Sequence, residues 1–350
     1  MKILFGTNVM FYEKALIPEY CQSIGWALDD WMANKRPDDD FVVMFGINTD
    51  QSFEKTTGSM ADEIIDINNL IYKNIHSKYH KNLWVSPIKG EAGYPYTMVN
   101  FRRDLNNRIA SGKGYFRDYD FVVWGETDCI LPETFFIDIQ TVHEYVTKEP
   151  NATNKYVITF ADRKMWDDSW KLLEHPEFTN KPYYERDDPK SQTELHSIRY
   201  TINQDELDAV NKKYAADLDI NIIRYPKFDG SLLILSKGLL QAGANIPPYF
   251  WGISGEDTAM MESCKQIMGE QYVQYIIKSV CKGHNREHPR KREGAISVYG
   301  GQESTQRSKG GWYDKIRDIN KENLLRLYSP THKQLPLLTY QDFLNAMKDE

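Results

Sequence analysis

At 350 residues the chain is long enough for one large domain or two modest ones, and a 41% hydrophobic content supplies a real core. A net charge of −7 excludes binding to nucleic acid through overall charge, and four widely spaced cysteines with no C-x-x-C exclude a zinc-finger site and fit reduced thiols. There is no run of about 18 apolar residues, and the opening MKILFGTNVMFYEK lacks a signal-length apolar stretch and a cleavage site; a cytoplasmic protein without a transmembrane segment is expected.

In chain order, residues 2–6 have the pattern of a short buried strand. Ile17, Tyr20, Ile24, Ala27, Leu28 and Trp31 recur at three- and four-residue spacing, which predicts a helix over Ile17–Ala33. The charged run 35–40 is a polar loop stopped by Pro37. Strands are expected at 41–45 and 83–88, a helix at 97–111 ended by Gly112, a strand at 121–124, a helix at 132–147 and a strand at 156–160. Alternating strands and helices imply an α/β protein with a mixed, mostly parallel sheet flanked by helices, whose ligands sit at the carboxyl ends of the strands. Residues 163–204 break the rhythm and read as a lid or acceptor-side insertion, or as a structural excursion. Strands follow at 222–226 and 231–235, then a helix after Asp257 with Thr258, Met261 and Cys264 on one face, a strand at 271–278, and short helices at 324–328 and 340–347.

The stretch FVVWGETDCILP, 121–132, carries the most chemistry. An apolar run ends in Gly125, and Glu126 and Asp128 follow before Pro132. On an extended chain, residues two apart point the same way. Two carboxylates side by side suit a hard cation and the phosphate it carries. Taken alone, such a pair is more often two solvated acids at a strand end.

The order of parts resembles the nucleotide-sugar glycosyltransferases of the GT-A (Rossmann-like) fold, family-two type. The helix matches at Arg103 and Asn107, the small-residue turn at Ala110-Ser111-Gly112, and the acid motif at Glu126-Thr127-Asp128. FDGSLLILSKGLLQAG (228–243) and WGISGEDTAM (251–260) are similar to the acceptor half of these enzymes, and Gly283-His284 to the late histidine that ligates the metal. The resemblance covers 2–284. It implies a catalytic domain over 1–277, with a nucleotide-sugar half (1–132) and an acceptor half (133–277), and a basic segment over 278–350 that completes the site. It also implies a divalent metal (Mn2+ or Mg2+) on Asp128 and His284 with Glu126 nearby, and a nucleoside diphosphate sugar, a UDP-sugar, as donor. Asp257 would be the base in a direct displacement, with Glu256 as its adjacent competitor, and Trp251, Gly255 and Arg286 would be on the acceptor side.

The residues themselves leave alternatives open. Arg102 or Arg103 offers a fork to a diphosphate oxygen, or lies on a solvated helix face. His288 competes with His284, and Trp251 stacks on a sugar or packs. The chain departs from the family pattern at Phe5-Gly6-Thr7-Asn8, which lacks the usual Pro, and at Asn48-Thr49-Asp50, where the base-reading acid is expected. Residues 278–327 carry twelve Lys/Arg and six Asp/Glu, a +6 segment on an acidic chain. Its cations Lys282, Arg286, Arg290, Lys291, Arg292, Arg307, Lys309, Lys315 and Arg317, with Trp312 and Tyr313, fit a phosphate backbone and a stacked base. The same cations also fit the donor diphosphate or a solvated surface, so the acceptor stays open between a hydroxymethylated pyrimidine in DNA, as for some phage enzymes, a saccharide or lipid-linked hydroxyl, and a protein. A non-catalytic nucleotide-sugar-binding module is the alternative from another class.

Overall fold

The computed structural model describes residues 1–49, 59–91, 96–163, 203–214, 218–223, 225–250, 255–285, 312–332, 335–346 and 348. Its strands are β1 (Lys2–Val9), β2 (Asp40–Asn48), β3 (Leu83–Ile88), β4 (Phe121–Gly125), β5 (Cys129–Ile130), β6 (Tyr156–Arg163), β7 (Ile220–Ile223), β8 (Leu232–Ser236) and β9 (Val273–His284). The helices are α1 (Ile17–Ala33), α2 (Met60–Asn74), α3 (Met98–Ala110), α4 (Phe135–Lys148), α5 (Gln204–Tyr214), α6 (Lys237–Gln241), α7 (Glu256–Met268), α8 (Trp312–Tyr328) and α9 (Tyr340–Ala346).

One sheet runs in the order β3-β2-β1-β4-β8-β6-β9-β5, with β7 on β9. Strict alternation along its central strands builds two cores. Ile3, Phe5, Phe121, Val123, Leu232 and Ile234 face one side, against α1, α2 and α4. Leu4, Val122, Trp124, Leu233 and Leu235 face the other, against α3, α6 and α7. Both faces are covered, so these strands read as continuous apolar runs.

The part β3-β2-β1-β4 is parallel. β8 then enters antiparallel to both β4 and β6, and β9 is parallel to β6 but antiparallel to β5 and β7. The sheet is therefore mixed, as expected, with parallel ladders pairing more residues than antiparallel ones, and what the pattern does not reveal is the antiparallel entry of β8. The reason is that LLILS, buried on both faces, reads the same in either direction.

Smaller differences follow from tertiary context. The strand expected at 222–226 is Ile220–Ile223, held on the β9 edge. The short helix expected at 324–328 is the end of the longer α8. α2 and α5 lie where no element was expected. The buried face of α7 is Glu256, Ala259, Met260, Ser263 and Cys264, while Thr258 is exposed. Most of the 163–204 insertion lies outside the described residues. Among the described residues, no helix is long and apolar enough to cross a membrane. All four cysteines are free and buried.

Gly125, at the end of β4, has a steric cause. A Cβ there would come within 2.1 Å of the Tyr20 hydroxyl, which shares a 2.6 Å hydrogen bond with Thr7 Oγ1. Only glycine lets α1 close over the strand end that delivers Glu126 and Asp128.

Candidate active site

The carboxyl ends of β4, β6 and β9 and the start of β8 converge. From β4 come Glu126 and Asp128, from β6 Asp162, from the turn before β8 Asp229, and from β9 Lys282 and His284. The β5–β9 pairing sets Cys129 opposite His284, and Asn285 N–H donates to Asp128 O at 2.7 Å. His284 is buried. Its Nε2 lies 3.7 Å from Asp128 Oδ2 and 3.9 Å from Glu126 Oε2, and its Nδ1 lies 3.7 Å from Asp162 Oδ2.

The Asp128–His284 spacing fits a shared ion, whereas Glu126 lies outside the group of donor atoms that are within 4.8 Å of one another. Ligands at about 2.1 Å from one cation are separated by roughly 3–4 Å, depending on the angle between them. A cavity of about 10 Å³ opens beside Asp128, lined also by Thr127, Cys129 and Asn285. Cys129 completes a donor group with Asp128 and His284 within 4.8 Å. Burial holds its thiol well above the usual cysteine range, and the S–H donates to Ser231 O at 3.3 Å. Asp128, Cys129 and His284 are thus compatible with a metal site. A groove of about 450 Å³ at the opposite end of the sheet, near Asp40 and Phe41, contains none of these residues.

A second set of charges borders the first. Arg102, on α3, is 1% exposed. One of its NH2 groups donates to Glu256, the other to Glu126 Oε1 at 2.8 Å and to Gly230 O at 2.7 Å. Its guanidinium lies 5.0 Å above the Trp124 ring. Burial pushes the Glu256 carboxyl above its ordinary range, Arg102 opposes this, and Asp257 and Glu126 add to it. The backbone comes close enough only because residue 230 is glycine: a Cβ there would lie 2.9 Å from Arg102 Nη1 and 3.0 Å from Glu256 Oε1.

Gly255 is the N-cap of α7 at φ 81°, a left-handed conformation that favours glycine. It turns the chain so that Glu256 goes inward to Arg102 while Asp257 stays half-buried beside Gly230. Asp257 Oδ1 accepts from Thr258 N–H at 2.6 Å. The two adjacent acids thus separate into an internal ion pair and a carboxylate at the surface of the site.

Two expected donor-site residues are not brought into this cluster. Arg103 donates to the carbonyl oxygens of Ile246, Pro247 and Phe250 at 2.5–3.1 Å. Asn107 is exposed and accepts from Asn245 at 2.9 Å. A step of one residue rotates a helical side chain by about 100°. The inward positions are therefore Arg102 and Asn106, the latter accepting from Trp124 Nε1 at 3.0 Å. Arg103 clamps the 246–250 loop instead, and Asn323 of α8 holds the same loop at Tyr249 O.

Three members of the cluster were missed. Asp162 ends YVITFAD just as Glu126 ends its strand, and Asp229 sits in a Phe-Asp-Gly turn. Asp162 follows an apolar run as the acid pair does, while Asp229 precedes its strand and has no such signal. Lys282, expected among the cations that fit a phosphate backbone, is 1% exposed, with Nζ donating to Asp229 and Ser231 Oγ. Burial alone would lower its pKa, but Asp229 and Asp162 outweigh burial and raise it. The strand ends expected to read the base deliver Asn48 and Asn8, hydrogen-bonded to each other at 3.3 Å. Asp50, Trp251, Arg286 and His288 lie outside the described residues.

No family model matches the chain, and no curated protein matches it. Among solved structures it is similar to S. aureus TarS, with 14% identity, coverage of 100% of this chain and 48% of that one, and a TM-score of 0.37. The chain spans about half the length of that structure. A TM-score this low carries no weight for fold or activity.

Charge decides what the pocket can bind. Glu126, Asp128, Asp162, Asp229 and Glu256 face two buried cations, Arg102 and Lys282. The Asp128–Glu126–His284 corner is left electronegative, which is compatible with a metal site.

Proposed function

We propose that the chain is a metal-dependent glycosyltransferase that moves a hexosyl or pentosyl group from a nucleoside diphosphate sugar, a UDP-sugar, to an acceptor hydroxyl. The convergence of Glu126, Asp128 and His284 at strand ends, beside the inward Arg102–Glu256 pair and the outward Asp257, carries this reading. Asp128 and His284 would hold Mn2+ or Mg2+, with Glu126 as a third donor or a contact to the ribose. When bound, the ion supplies Lewis-acid stabilisation of the leaving diphosphate.

The chain's own residues do the rest. Arg102 fixes the Glu126 carboxylate, so the donor corner is rigid before substrate enters. Glu256 is a positioning residue, since its carboxylate is turned to Arg102. Asp257 takes the proton from the acceptor hydroxyl in a direct displacement. Gly255 sets the direction of Asp257, and Arg103 anchors the loop that leads to it. Trp251 and Arg286 are assigned to the acceptor side by their place in the sequence.

The acceptor is a saccharide hydroxyl or a hydroxymethylated base in DNA. Of the cations that suggest DNA, Lys282 is buried and Lys315 donates to Ala346 O at 2.5 Å. A DNA acceptor therefore depends on Arg317 and the basic residues between 286 and 309. A duplex-mobility assay over a salt series separates the two: salt-sensitive binding supports DNA, and no binding at low salt removes it.

The activity is tested by UDP-sugar hydrolysis with Mn2+ and with EDTA, in the wild type and in Asp128→Asn. Turnover that needs both the ion and Asp128 supports the proposal. Nucleotide binding without turnover in any condition points to a binding module instead. Turnover indifferent to metal and to Asp128 contradicts the proposed site.

A further inference from the structure

His284 borders two donor sets. On its Nε2 side lie Asp128 and Glu126; on its Nδ1 side, Asp162 and Asp229 form a second group with His284 whose donor atoms lie within 4.8 Å of one another. All members of the second group are buried. Two buried carboxylates and an imidazole make a divalent-cation pocket as good as the first. What distinguishes the second is that it contains Lys282. The ammonium donates to Asp229 and to Ser231 Oγ and sits 4.0 Å from Asp162 Oδ2.

The backbone arranges this. β6 and β9 pair in register up to Phe160 with Ile277, and then the register shifts, so that Ala161 meets Cys281 and Asp162 meets Lys282. Without the shift Asp162 would sit opposite Ser279. The irregularity brings a lysine to the carboxylate and turns His284 toward β5, the local re-aiming that bulges produce. An ammonium is kept in a buried pocket only where carboxylates compensate it.

We propose that Lys282 is a tethered cation filling the Asp162–Asp229 pocket, so that the chain takes one divalent ion, on the Glu126–Asp128 side of His284, and gains a second ion site when the ammonium is removed. The inference rests on the proposed metal site for the first ion but not for the second. The fixed cation has two consequences. It keeps a carboxylate against Nδ1, leaving Nε2 to the ion, and it limits the positive charge that the donor diphosphate meets to one mobile ion.

The test is Mn2+ uptake by the intact chain, measured by equilibrium dialysis and metal analysis with Mn2+ alone. Wild type should bind one ion, Asp128→Asn none, Lys282→Ala two, and the double variant one. A wild type that binds two ions, or a Lys282→Ala chain that binds no more than wild type, overturns the inference. If wild type binds none, or Asp128→Asn binds as wild type, the proposed first site fails. The added ion on Lys282→Ala then still decides the role of Lys282. Should Lys282→Ala not fold alone, refolding in Mn2+ is compared with refolding in EDTA. Recovery with Mn2+ supports a cation-dependent pocket, and failure in both overturns it.

Discussion

Arg102→Met removes the guanidinium that joins Glu126 to Glu256 while nearly keeping its volume. The side chain it replaces is 1% exposed, and Glu256, its partner, is 4% exposed. Breaking a buried pair from one side leaves an uncompensated charge and costs about 3–5 kcal/mol. Glu256 is already held above its ordinary range by burial, so it answers by taking up a proton, which moves the cost toward the lower end. Unfolding entropy of about 2.1 cal/mol/K per residue over 350 residues gives about 0.7 kcal/mol/K, so about 3 kcal/mol lowers Tm by about 4 °C. Adding Glu256→Gln removes the orphaned acid, and the double variant should recover at least half of the loss, a coupling of about 2 kcal/mol. The assay is thermal melting at pH 7 of the four proteins in the cycle. A single variant that melts within 1 °C of wild type, on the order of the 0.7 kcal/mol/K above, or a double variant that simply adds the two losses, refutes the ion-pair account.

Asp138 provides a pH test away from the site. Burial raises its carboxyl from 3.8 to about 7, against the Thr134 hydrogen bond and with help from Asp30. A raised folded-state pKa means stability that is complete below the unfolded value and is lost as pH rises through about 7. Asp138→Asn should therefore gain stability over wild type by roughly 2–3 kcal/mol more at pH 8 than at pH 5, and equal gains at both pH values would contradict the shift. Gly230→Ala should cost about 1–3 kcal/mol, because the methyl meets a guanidinium pinned by two carboxylates; unchanged stability in urea would show that the pair can move aside. Asp257→Asn should lower transfer by about 10²–10⁴-fold and leave Mn2+–UDP affinity unchanged, and a fall in affinity with normal turnover would remove Asp257 as the base.

The strand ends were legible because the sheet is buried on both faces, so FVVWG and YVITF stand out as apolar runs that acids follow within two residues. The partners of those acids were not legible. Asp162 and Asp229 are single carboxylates, and only the β6–β9 register and the turn before β8 bring them to His284. Lys282 shows the limit of charge counting. It belongs to a +6 segment, yet β9 runs through residue 278 into the core and takes Lys282 with it. Which of Arg102 and Arg103 turns inward was not legible, because neighbouring helical side chains are rotated by about 100°. Arg102 and Asn106 face the sheet, and their neighbours hold the loop that precedes Gly255.

The most direct test of the central claim is a crystal of the protein with Mn2+ and UDP, with anomalous scattering recorded at the manganese edge. The account predicts one strong peak about 2.1 Å from Asp128 and from His284 Nε2, bridging to the diphosphate. A peak bound elsewhere, or UDP seated without any ion near Asp128, would contradict it.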